Sequence, residues 1–254
     1  MARTNIKMVV FDMAGTTVVD DKAIEDCFHQ SCAMTGLNVA RKEINALMGY
    51  SKRWVFLQFW TEHLGVGHKD ITRNMDDSYD LFCNLLEEHY LTADIAAAPH
   101  ALEVFGYLRL RGVKVVLNTG FYRKVTDIIL ARLGWDRGLN DNYVGNDFSV
   151  IDMSICSDEV KMGRPHPHMI KKAMRQFRIR DPKQVVKVGD TPVDLEEGRN
   201  AGCLLTIGVL NGSHTLEELM GLDHDALLPD LSYLPNLLVK HDPSLRLMKE
   251  KYDV

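Results

Sequence analysis

The run Met8-Val9-Val10-Phe11 closes on one carboxylate, Asp12, and turns at once through Ala14-Gly15-Thr16-Thr17. An unbroken apolar run bounded by a turn predicts a strand buried on both faces, which is the strand type of a parallel sheet. In open parallel sheets, ligands bind outside the carboxyl ends of the strands. A chain that opens this way is therefore constrained to an α/β fold with Asp12 at its working edge.

The rest of the chain reads in two parts. Asp20 and Asp21 are placed to cap a helix reaching residue 34, with Gly36 as its stop. Further helical segments are expected over residues 42–48, over 52–63 behind a Ser51 cap, and over 71–90. No strand pattern falls between residues 20 and 90. After Pro99 the pattern alternates: helix 101–111, strand 113–117, helix 125–133, strand 153–156, helix 165–177, strand 185–188, helix 195–200, strand 204–209 and helix 231–239. That alternation predicts a doubly wound parallel sheet. Residues 1–18 and 95–254 form the expected α/β core, and residues 19–94 an all-helical cap inserted after the first strand. The tail 241–254 is polar and expected to pack loosely.

Composition removes several function classes. The chain has 254 residues, 46% hydrophobic, with a formal net charge of −5 and no Lys/Arg-rich run, so a nucleic-acid partner is not expected. No stretch approaches the ~18 apolar residues of a membrane span, and the beginning of the chain lacks an apolar leader. A cytoplasmic protein with no membrane partner is expected. The five cysteines (Cys27, Cys32, Cys83, Cys156, Cys203) form no CxxC pair and read as reduced packing residues.

Three strand ends carry the chemistry. They deliver Asp12, Thr119, and Asp190 with Asp194 in Gly189-Asp190-Thr191-Pro192-Val193-Asp194. The spacing of Asp190 and Asp194 suits oxygen ligands on one side of Mg²⁺, and equally a pair of helix-capping acids. Asp12 at a neighbouring strand end favours the metal site. A carboxylate and a phosphoryl group repel each other unless cations stand between them.

Together these motifs resemble the haloacid dehalogenase superfamily of phosphohydrolases along nearly the whole chain. Asp12-Met13-Ala14-Gly15-Thr16, Val115-Val116-Leu117-Asn118-Thr119, Gly163-Arg164-Pro165 and Gly189-Asp190 through Asp194 match its four motifs in order. The resemblance implies that Asp12 attacks phosphorus and forms an aspartyl-phosphate. It implies Mg²⁺ held by Asp12, the Ala14 carbonyl, Asp190 and Asp194, the last directly or through water. Thr119 and Gly120 would bind phosphate oxygens, Arg164 would neutralise charge, and Gly15, Thr16, Gly49 and Asn118 would complete the substrate site.

Two residues narrow the resemblance. Ala14 stands where many members carry a general-acid Asp, and Arg164 where a lysine is usual. Both point to the phosphonoacetaldehyde hydrolase branch, and Met48-Gly49-Tyr50-Ser51-Lys52 looks like that branch's cap loop with its Schiff-base lysine. A P–C bond has no good leaving group, so an iminium nitrogen that accepts the electrons solves the problem, and no acid is needed to protonate an alkoxide. The sequence departs from the branch at Val55, where a histidine is usual, and at Asn118-Thr119-Gly120-Phe121. The closing Gly208-Val209-Leu210-Asn211-Gly212-Ser213-His214 is closer to the phosphonatase-like sister group. The expected substrate is phosphonoacetaldehyde or another 2-oxoalkylphosphonate. The alternatives are a phosphate monoesterase with Lys52 gripping its substrate, and a catalytically silent binding protein.

Other residues read as structural. His166 and His168 fall on a helix's first turn without a matching third metal ligand. Trp54, Phe56, Phe59 and Trp60 have the spacing of cap core or of a homodimer face. Thr17 reads as a turn residue.

Overall fold

A computed structural model describes residues 5–246. The sheet has six parallel strands, β1 (Met8–Phe11), β2 (Lys114–Thr119), β3 (Met153–Cys156), β4 (Val185–Gly189), β5 (Leu205–Val209) and β6 (Ala226–Leu228), in the order β3-β2-β1-β4-β5-β6. The order reverses direction at β1, so the sheet is doubly wound and the crevice for a ligand opens at the ends of β1, β2 and β4. Register enforces this. Phe11 pairs with Leu117 on one side and Val188 on the other. Asp12, Asn118 and Gly189 therefore emerge together at one edge.

Side-chain alternation divides the core between the two faces. Met8, Val10, Val116 and Ile155 pack with Met169, Ile170 and Ala173 of α7 (His168–Gln176). Val9, Phe11, Val115 and Leu117 face the other way, into a cluster that includes Val104, Phe105 and Leu108 of α5 (Ala101–Arg109) and Val125 and Ile129 of α6 (Arg123–Leu133).

Between β1 and α5 the described chain is helical: α1 (Ala23–Thr35), α2 (Arg41–Ala46), α3 (Lys52–Leu64) and α4 (Ile71–Thr92). Two antiparallel segments join this insert to the sheet, with Val19 N–H donating to the Ala96 carbonyl at 3.0 Å and Ala98 N–H to the Thr17 carbonyl at 2.8 Å. Aromatic rings fill its interior. Phe28 of α1 stacks on Phe56 of α3 at 4.1 Å, and Phe82 of α4 lies 5.4 and 5.9 Å from the two. Phe56, Phe59 and Trp60 are buried, so most of the aromatic stretch is core, while Trp54 is exposed and stacks on Tyr50.

Several boundaries differ from the sequence expectation. Neither Asp20 nor Asp21 is the N-cap of α1. Lys22 is, in a left-handed conformation. Ser51 is the N-cap of α3 without a capping hydrogen bond from its side chain. The helix expected from Pro165 begins at His168, because Pro167 bars His166 from helical geometry. The two histidine rings stack 5.8 Å apart. The helix expected over 195–200 is α8 (Pro192–Ala201), with Pro192 at its first position. The short α9 (Leu216–Met220) and β6 were not expected, and α10 (Leu234–His241) follows a 3₁₀ turn at Leu231–Tyr233. The tail is anchored as far as it is described: the Leu245 carbonyl accepts hydrogen bonds from Tyr107 Oη and Arg111 Nε, each 2.7 Å. The expectation for residues 247–254 lies outside the described residues.

Phe82 is fully buried between two rings. Phe82→Ala is expected to lower stability by about 3–5 kcal/mol, read as a fall in the urea midpoint at unchanged m-value.

Candidate active site

The ends of β1 and β4 and the first turns of α8 bring four carboxyl groups into a space almost closed to solvent. Asp12, Asp190, Asp194 and Glu197 are all buried, and Arg164 and Lys187 are buried among them. Arg164 Nη2 donates to Asp12 Oδ1 at 2.5 Å and to the Asn118 carbonyl at 2.5 Å, while Nη1 lies 2.9 Å from Asp194 Oδ1. Lys187 Nζ lies 2.8 Å from Asp194 Oδ1 and donates to Asn118 Oδ1 at 2.7 Å. Both cations also approach Glu197 Oε2 at 3.4 Å. The Asn118 amide donates to both Glu197 oxygens, so Asn118 belongs to the layer beneath the site rather than to its lining.

These partners divide the carboxyl groups. Burial raises the Asp194 pKa, but Arg164 and Lys187 outweigh it and hold the group below its ordinary value. Its Oδ2 accepts from the backbone and the hydroxyl of Thr191, so Asp194 also closes the capping box of α8. Asp194 thus makes its ion pairs and its capping contacts at once. Burial also raises Asp12, a rise only partly offset by Arg164. Among the described residues, Asp190 makes no ion pair with a cation. Burial, then the charges of Asp12 and Asp194, push it up to about 7.

Loop groups orient Asp190. Thr16 Oγ1 donates to its Oδ1 at 3.0 Å, and Ser213 N–H and Oγ to its Oδ2 at 2.8 Å each. Gly15, at φ 79°, leaves the room this carboxylate occupies: a Cβ there would stand 2.6 Å from Asp190 Oδ2. Thr17 donates to the Asp12 carbonyl at 2.8 Å and is a turn residue.

A divalent cation fits this donor set. Oxygens of Asp12, Asp190 and Asp194 lie within 4.8 Å of one another. Four buried carboxyl groups face two buried cations in the cluster, and the carboxyl group most lacking a counter-charge, Asp190, is one of the three.

The helical insert closes the site from above. A narrow cavity is lined by Asp12, Ala14, Thr119, Gly120 and Arg164 from the sheet side and by Asp20, Met48, Gly49 and Lys52 from the insert side. Contact between the two sides is close. A Cβ on Gly120 would stand 2.7 Å from the Gly49 carbonyl, and one on Gly49, at φ 85°, would stand 2.5 Å from Thr191 Oγ1. Lys52 begins α3, is 6% exposed, and its Nζ contacts Met48 Sδ at 3.6 Å. Burial lowers its pKa to about 8 against the pull of Asp12 and Asp20, and Arg164 adds to the lowering. Thr119 Oγ1 accepts from Phe121 N–H at 3.1 Å.

Lys187, Glu197, Asp20 and Ser213 were not among the expected site residues. Lys187 is signalled by a charge inside the apolar run Val185-Val186-Lys187-Val188, and Glu197 by its place one helical turn beyond Asp194. Asp20 and Ser213 carry no comparable pattern, since both lie in loops.

Across residues 6–202 the chain matches the haloacid dehalogenase-like hydrolase family. The phosphonoacetaldehyde hydrolase of Bacillus cytotoxicus is 30% identical over 229 residues, covering 83% of this chain and 78% of that protein. The phosphonoacetaldehyde hydrolase of Latilactobacillus sakei is 29% identical over 239 residues, 89% of this chain and 82% of the relative. Among solved structures, a phosphonoacetaldehyde hydrolase-like protein from Oleispira antarctica superposes with a TM-score of 0.72 at 20% identity, covering 96% of this chain and 95% of that one. A hydrolase from Pseudomonas syringae gives 0.72 at 18% identity, covering 92% and 98%. The chain belongs to the haloacid dehalogenase-like hydrolases.

Lys187 supplies charge that two buried carboxylates need. Lys187→Met is expected to cost about 3–5 kcal/mol of stability, seen in chemical denaturation.

Proposed function

We propose that this haloacid dehalogenase-like hydrolase cleaves the P–C bond of phosphonoacetaldehyde or a closely related 2-oxoalkylphosphonate. The observation that carries the proposal is the placing of Lys52: a buried amine, lowered to about 8, in one cavity with Asp12 and above Ala14. A lysine gripping a phosphate through its charge is best left strongly basic. A lysine that condenses with an aldehyde must be neutral, and desolvation at this position works toward that state.

The chain's groups then divide the reaction. The Lys52 amine attacks the carbonyl carbon, water leaves, and an iminium forms. Asp12 attacks phosphorus, the P–C electron pair moves into a C=C bond, and the iminium nitrogen becomes a neutral enamine. Proton addition at carbon and hydrolysis of the imine release the aldehyde and restore Lys52. Water then hydrolyses the aspartyl-phosphate. Thr119 and the Gly120 backbone bind phosphoryl oxygens, with Gly15, Thr16 and Gly49 shaping the site around them. Arg164 balances the charge of Asp12. Asp12, the Ala14 carbonyl and Asp190, with Asp194 direct or through water, would hold Mg²⁺, which screens the phosphoryl charge from the attacking carboxylate.

Ala14 supports P–C over P–O cleavage. An alkoxide leaving group calls for an acid beside the nucleophile, and alanine offers none. An enamine leaving group does not need it. The helical insert acts in this reading as a lid that excludes water while the imine is present.

Incubation with phosphonoacetaldehyde and Mg²⁺ is expected to release phosphate and acetaldehyde in equal amounts. Lys52→Arg is expected to lower turnover by about 10³-fold or more, since it removes a covalent catalyst while keeping the charge. Hydrolysis of phosphate esters by both the wild type and Lys52→Arg, with no turnover of the phosphonate by the wild type, overturns the proposal. Because only the neutral amine reacts, kcat/KM should climb about tenfold per pH unit on the acid side and level off above the Lys52 pKa of about 8.

A further inference from the structure

Asp20 lies in the segment that leads from the sheet into α1. The residue lines the cavity that holds Lys52 and Asp12, and it also lines an outer cleft with Cys27, His89, Tyr90, Asp94 and Ala96. Asp20 Oδ1 is shielded from solvent and has no hydrogen-bond partner among the described residues. Such an orphaned oxygen is costly unless it serves something. Lys22 holds the N-cap position of α1 without a side-chain cap, and the first-turn amides of Ala23 and Ile24 act on the Asp20 carboxyl, yet Oδ1 is left unpaired.

We propose that Asp20 carries protons between the Lys52 imine and the outer cleft. The proposal rests on the Schiff-base reading above, because it supplies the proton donor that this chemistry requires. Converting a neutral amine and an aldehyde into an iminium consumes one proton as the carbinolamine C–O bond breaks and water leaves. Breaking P–C leaves an enamine, whose carbon takes up a second proton. Hydrolysis of the iminium returns one proton, and hydrolysis of the aspartyl-phosphate returns another, so the cycle balances.

Of the two carboxyl groups lining the cavity, Asp12 is held by Arg164 and is the nucleophile. Asp20 is the other. Charged and titratable groups face it from each neighbouring helix: Lys52 from α3, Cys27 from α1, and His89 and Tyr90 from α4. Burial raises its pKa, against the amides of Ala23 and Ile24 and the charges of Lys52 and His89. A carboxyl displaced toward neutrality retains a proton to give. The Tyr90 hydroxyl, also buried without a partner, stands near the same carboxyl. The outer cleft gives Asp20 a route to solvent while the lid stays closed over the imine.

The test uses the full chain with phosphonoacetaldehyde and Mg²⁺. Wild-type turnover, with borohydride trapping at Lys52, first checks the underlying reading; its failure discards that reading and the relay with it. Given wild-type turnover, Asp20→Asn should lower kcat by about 10²-fold or more with KM changed only a few-fold, and should alter the pH dependence of kcat. Asp20→Ala should show the same loss and be partly restored by formate or acetate, in proportion to the undissociated acid. Wild-type kcat and pH profile in Asp20→Asn would overturn the proposal alone. So would loss in both variants that no small acid restores, which marks a structural role.

Discussion

Everything at this site depends on holding four carboxyl groups together in a space that water barely enters. Two of them, Asp194 and Glu197, share the Lys187 ammonium and the Arg164 guanidinium. Arg164 then reaches past them to Asp12. Its planar fork suits this task, since one side chain can contact several anions in different directions. Lysine, a compact point charge, serves beneath it at Lys187. The result is a graded set: Asp194 held ionised, Asp12 intermediate, and Asp190 poised for a further cation. In the proposed reaction, a fixed electrostatic frame of this kind would let a phosphoryl group approach a carboxylate without reorganisation at the moment of reaction.

The insert completes the site with a group the sheet does not carry. The carboxyl edge of the sheet and the segments that follow it supply anions, a guanidinium and a hydroxyl; the first residue of α3 supplies an amine. Glycines at 49 and 120 bring the two sides within contact distance, because any side chain there would separate them. The same closeness desolvates Lys52. Packing between the sheet edge and the loop before α3 thus lowers the pKa of the amine, the property on which the proposed Schiff-base chemistry rests.

Much of this was legible in the sequence because the signals were periodic or covalently local. An apolar run closing on Asp12 located β1 and its edge, and residues 153–156 were assigned as the strand observed. Asp190 and Asp194 stood out by spacing after a strand. The pattern failed where structure is set by context. A three-residue edge strand such as β6 has too few residues to show alternation. Pro165 read as a helix start, although the second proline at 167 delays it. Lys187 lies in a strand that otherwise reads as apolar, and only the burial of its neighbours reveals why a charge is tolerated there. Asp20 offered a capping reading, but the left-handed Lys22 holds the N-cap position while Asp20 meets the first-turn amides from outside it. No feature of sequence predicts that this residue lines a cavity on one side and a cleft on the other.

The decisive measurement is peptide mapping of the protein after borohydride reduction in the presence of phosphonoacetaldehyde and Mg²⁺. An imine on the cleavage pathway predicts an alkylated lysine at position 52, carrying an ethyl group where P–C cleavage preceded reduction and a phosphonoethyl group where it did not. Continued turnover under borohydride with Lys52 unmodified would contradict a Schiff-base mechanism.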